Sequence, residues 1–127
     1  MKLRNTLSIA ILLIGGGLAQ AQDRTYLNKG EVEQLLVGKV STHLRLADSN
    51  KVKWDIKSGG VLYGNNLTVS GSDTARWEIK DDGGLCVKWR GKSQDGCFYH
   101  FKSGDKIMRT ENSQPTAPIN SEILEIQ

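Results

Sequence analysis

Two repeat lengths in the apolar positions divide the chain. Val32, Leu35 and Leu36 fall at i, i+3 and i+4, one face of a helix. Asn28 stands where an N-cap belongs, with Glu31 three positions on as in a capping box. Gly38 is placed to end the helix in a left-handed conformation, which predicts a short helix over residues 29–37. After Gly38 the period becomes two. Val40, Thr42, Leu44 and Leu46 alternate with Ser41, His43 and Arg45, which predicts a strand with the second set in the polar, solvent-facing phase.

The alternation then recurs. Val52, Trp54 and Ile56 form the apolar phase of a second strand. Residues 61–63 predict a short third strand, broken by Gly64-Asn65-Asn66, with residues 67–69 as a fourth. Ala75, Trp77 and Ile79 define the next, followed by Leu85, Val87 and Trp89, then residues 97–102 and 106–110. Turn clusters separate them, among them Asp48-Ser49-Asn50, Ser58-Gly59-Gly60 and Asp81-Asp82-Gly83-Gly84. The expected fold is mainly β, in α+β order: a short N-terminal helix, then an antiparallel meander of about six to eight strands in a small barrel or strongly curved sheet. The domain is placed at residues 22–110. Residues 111–127, with Pro115 and Pro118, are set apart as a C-terminal tail in which residues 119–126 form an edge strand or a terminal turn.

The start of the chain has a different character. Lys2 and Arg4 are the only charges before Asp23, and an apolar run over residues 7–18 ends at Ala19-Gln20-Ala21. This is the pattern of a secretory signal peptide over residues 1–21, with cleavage between Ala21 and Gln22. The apolar run falls short of the ~20 residues that span a bilayer, so no transmembrane segment is expected after cleavage. Removing residues 1–21 from the 127 leaves 106, and losing Lys2 and Arg4 brings 17 basic residues to 15 against 14 acidic, a net of +1. That charge gives no nucleic-acid footprint. Cys86 and Cys97 are the only cysteines, and in an oxidising compartment such a pair reads as a disulfide. A tight turn at Gly91-Lys92 would set residue 86 opposite residue 97 across one hairpin.

The segments Ala75-Arg76-Trp77-Glu78-Ile79, Gly84-Leu85-Cys86-Val87-Lys88-Trp89 and Cys97-Phe98-Tyr99, with Leu35-Leu36-Val37-Gly38-Lys39 before them, resemble a family of small secreted bacterial proteins, domain of unknown function number 995. The resemblance spans roughly residues 28–110. It departs from the family where Asp73-Thr74-Ala75-Arg76 precedes Trp77 in place of a Gly-x-Trp strand. It implies an exported bacterial protein and brings no catalytic residues with it.

No nucleophile elbow, phosphate loop, dinucleotide fingerprint or zinc-protease helix occurs, and no cofactor or metal is expected. Asn66-Leu67-Thr68 matches a glycosylation acceptor, which reads as coincidence beside a bacterial-looking signal segment. His43 and His100 read as exposed or satisfied strand residues. Trp54, Trp77 and Trp89 each take the apolar phase of a different strand. They read first as core, and together with Tyr63 and Tyr99 as candidate ligand-binding residues. The reading is a non-enzymatic binding protein, periplasmic or secreted, for an envelope ligand or partner protein. The rivals are a secreted protein inhibitor, for example of a lysozyme, and a small hydrolase using His100 with an acid.

Overall fold

A computed structural model describes residues 24–127. The expected signal segment and the Ala21/Gln22 junction lie outside them. Helix α1 (Lys29–Leu36) is followed by eight strands: β1 (Lys39–Arg45), β2 (Lys51–Ile56), β3 (Val61–Asn66), β4 (Ser72–Ile79), β5 (Leu85–Trp89), β6 (Gly96–Ser103), β7 (Lys106–Thr110) and β8 (Ile119–Ile126). All neighbours pair antiparallel in sequence order, and β8 returns to β1, so the sheet closes into a barrel. Closure removes both sheet edges, which an exposed β protein must otherwise protect.

The helix forms as its sequence prescribes. The Asn28 side chain accepts from the Glu31 N–H, and the Glu31 carboxylate accepts from the Asn28 N–H, each at 2.9 Å. Val32 and Leu36 are fully buried and join the inward side chains Ile56, Leu62, Ile79 and Leu85 in one apolar cluster. These lie at the end of the barrel where β1 begins and β2 ends, so α1 plugs that end.

Cys86 and Cys97 pair directly across β5 and β6 and are disulfide-bonded, with Cα atoms 3.9 Å apart. The β5–β6 pairing is short, only Leu85 to Val87 against Phe98 to Gly96. Beyond it, residues 24–28 lie beside β6. Tyr26 bridges to Phe101, and the Leu27 N–H donates to the His100 carbonyl at 2.8 Å.

Three expectations are corrected. First, residues 61–66 are one strand. Gly64 does not break it: a Cβ there would lie 2.7 Å from Cη2 of Trp89, so the glycine clears space for that ring. Residues 67–69 are loop, because the Asn66 carboxamide accepts from the N–H groups of Thr68 and Val69 and turns the chain. Second, residues 119–126 form the strand that one of the two alternatives expected, but it is not an edge strand, and the segment from residue 111 is no appendage. β8 pairs with both β1 and β7 and is needed to close the barrel. Third, β1 is inverted. Ser41 and His43 are buried at 0% and 3% exposure, while Val40, Thr42 and Leu44 take the outer side. Alternation fixes the period of a strand, not which phase turns inward.

The candidate ligand cavity

The end opposite α1 is open. The β1–β2, β3–β4, β5–β6 and β7–β8 connections surround a cavity of about 1020 Å³. Its inner part is bounded by His43, Trp54, Trp89, Phe98, Asn120 and Ser121. Trp54 meets Trp89 edge-on at 6.0 Å between centroids and Phe98 at 5.3 Å. The aromatic wall follows from the inward phases of β2, β5 and β6, made possible by the missing side chain at Gly64.

Of the five ligand-binding candidates named from the sequence, Trp54 and Trp89 line this cavity and Tyr63, Trp77 and Tyr99 do not. Tyr63 points outward and is 46% exposed. Trp77 is half-buried at the plugged end, where its indole N–H donates to the carbonyls of Lys57 and Val61 at 2.9 and 3.2 Å. Tyr99 is buried on the outer side of β6, edge-on to Tyr26, and its hydroxyl donates to Asp82 at 2.9 Å. The disulfide shares that outer side.

Beneath the cavity lies a polar layer that the sequence reading missed. Arg109 is fully buried. It directly pairs with His100 on β6 and with Ser121 on β8. Its Nε donates to Nε2 of His100 at 2.8 Å, and its Nη1 lies 3.0 Å from Nδ1 of His43. The guanidinium carbon sits 4.4 Å from the centre of the Trp54 ring, a cation–π distance. None of the four salt bridges among the described residues involves Arg109, and its Nη2 has no hydrogen-bond partner there.

A guanidinium only donates, so both imidazole nitrogens facing it must be acceptors. His100 therefore carries its proton on Nδ1 and His43 on Nε2. Burial, and then the Arg109 and Arg45 charges, push the His43 pKa down to about 2. Burial, then Arg109 and His43, hold His100 well below its usual range. Burial lowers Arg109 to about 9, which leaves it cationic at neutral pH. The layer is thus one positive charge solvated by two neutral rings. A signal for it was present: Arg109 shares the phase of Ile107 on β7, a charge in an apolar register.

The rim is mixed. Arg45 and Lys92 stand with Asp73, Asp95 and Glu111. Asp73 accepts from the N–H groups of Thr74 and Gly91, and Asp95 from that of Trp89, so these two carboxylates brace the rim loops. Among the described residues no cluster of His, Cys, Asp and Glu could hold a metal ion, and no helix is long and apolar enough to cross a membrane. No protein-family model matches the chain, and neither curated proteins nor solved structures give a match.

Proposed function

We propose that this protein is an exported binding protein of the bacterial envelope that takes a small ligand through the open end of its barrel. One observation carries the reading: a cavity of about 1020 Å³ opens at the unplugged end, with Trp54, Trp89 and Phe98 on its inner wall. Small-molecule sites are typically concave, of roughly 300–1,000 Å³, with aromatic walls and a few fixed polar groups. The disulfide and the signal-like leader support export, as does the resemblance to a secreted bacterial family. The hydrolase rival finds no support at His100, whose ring is enclosed and accepts from Arg109.

The test is a fluorescence titration with organic extracts of the host envelope. Binding in the cavity shifts tryptophan emission in the wild type and in Trp77→Phe, but not in the Trp54→Phe, Trp89→Phe double variant. No response to any extract, or a response that follows Trp77, would overturn the proposal. For export, the protein isolated from its host should have a mass beginning at Gln22 and lacking two hydrogens.

A further inference from the structure

Resting on that reading, we infer that the ligand is an organic anion with a flat apolar body, its anionic group seated on the cavity floor against His43. Three observations lead there. The first is the uncompensated charge. A buried guanidinium is normally matched by a carboxylate, because an unpaired buried charge is heavily penalised. Arg109 has two neutral imidazoles and an aromatic face instead, with Nη2 left over.

The second is direction. His43 borders the cavity and Arg109 lies behind it. With Nδ1 committed to the guanidinium, the remaining nitrogen of His43 is an N–H donor without a partner among the described residues. Charge behind a fixed donor favours an acceptor that is itself negative. Arg109 is then a positioning residue: it fixes the His43 tautomer and supplies the field, while His43 makes the contact.

The third is the wall. Trp54, Trp89 and Phe98 offer ring edges and faces to an apolar body. Ser121, directly paired with Arg109, also lines the cavity and brings a hydroxyl donor there. The carboxylates Asp73 and Asp95 stand at the rim, engaged by backbone N–H groups.

The experiment compares two probes that differ by one charge, 1-naphthaleneacetate and 1-naphthaleneacetamide, titrated into the full-length mature protein by calorimetry. The acid should bind at least tenfold more tightly than the amide. Arg109→Met should erase that ratio while leaving amide affinity within about threefold, and Arg109→Lys should restore part of it. His43→Phe should erase it too, whereas His43→Asn, which both accepts and donates, should retain part. Far-ultraviolet dichroism confirms that each variant is folded. Equal binding of acid and amide to the wild type would overturn the anion assignment and leave the cavity reading standing. Binding of neither probe at millimolar concentration would overturn both. An unchanged ratio in Arg109→Met would remove Arg109 from the site.

Discussion

Arg109 and His100 stand opposite each other on β7 and β6, and the arginine Nε donates to the imidazole Nε2 over 2.8 Å in a place where neither side chain touches solvent. This pair and His43 make the barrel interior two layers, an aliphatic one against α1 and a polar one under the cavity.

The polar layer makes stability depend on pH. Both histidines are neutral in the fold, with pKa values pulled below the ordinary value near 6.5. The unfolded chain therefore binds more protons once the pH drops below about 6.5, and stability falls with it. The slope is up to about 1.4 kcal/mol per pH unit per histidine. For His43 it persists down to a pKa of about 2. Melting temperatures should hold from pH 7.5 to about 6.5 and decline from there to pH 4.5, and His43→Gln with His100→Gln should flatten the decline. A flat wild-type curve over that range would show that the rings are not held neutral.

Truncating the acceptor should hurt more than replacing the charge. His100→Leu leaves Nε of a buried guanidinium unpaired and should lose about 3 kcal/mol. Arg109→Met removes the charge with a side chain of similar reach, and should lose less than His100→Leu or even gain. Urea unfolding orders the two variants, and the reverse order would contradict the description of the layer.

Gly64→Ala places a methyl group 2.7 Å from the Trp89 ring, where something must move. Overpacking of this kind destabilises by about 1–3 kcal/mol. Tryptophan emission should change along with stability, since Trp89 and Trp54 are in contact.

The disulfide closes a short loop, with a sequence separation of 11. In the chain-entropy model that is worth about 3 kcal/mol. Cys86→Ser with Cys97→Ser should lower stability by roughly that amount and still fold, because the other seven strand pairings remain. Denaturant midpoints with and without the pair measure it.

Ending the chain after Glu111 removes β8, the strand between β7 and β1. It also removes the Ala117 carbonyl that accepts from Arg24 at 2.6 Å. The truncated protein should show no cooperative unfolding transition. A cooperative one would restore the view of this segment as a tail.

Much of the barrel was legible because β strands and their turns are local signals. The Asn28–Glu31 cap and the inward phases of β2, β4 and β5 are written in neighbouring residues. Cys86 does stand opposite Cys97, but residues 90–95 connect the two strands in place of the tight Gly91-Lys92 turn on which that register was expected to depend. What was not legible depended on partners distant in sequence. Gly64 looks like a strand breaker until Trp89 is set against it. His43 looks solvent-facing until Arg109, 66 residues on, supplies a donor inside the barrel. The aromatic candidates divided for the same reason: Trp54 and Trp89 reach the open end, Trp77 the plugged end, and Tyr63 and Tyr99 the outside.

The central claim is that a ligand sits on the charged floor of the open end, and nitrogen NMR of the histidine and indole groups tests it most directly. In the free protein His43 should show its proton on Nε2. Adding 1-naphthaleneacetate should shift that nitrogen and the indole N–H signals of Trp54 and Trp89, and leave that of Trp77 in place. Shifts confined to Trp77, or a His43 ring protonated on Nδ1, would contradict the account.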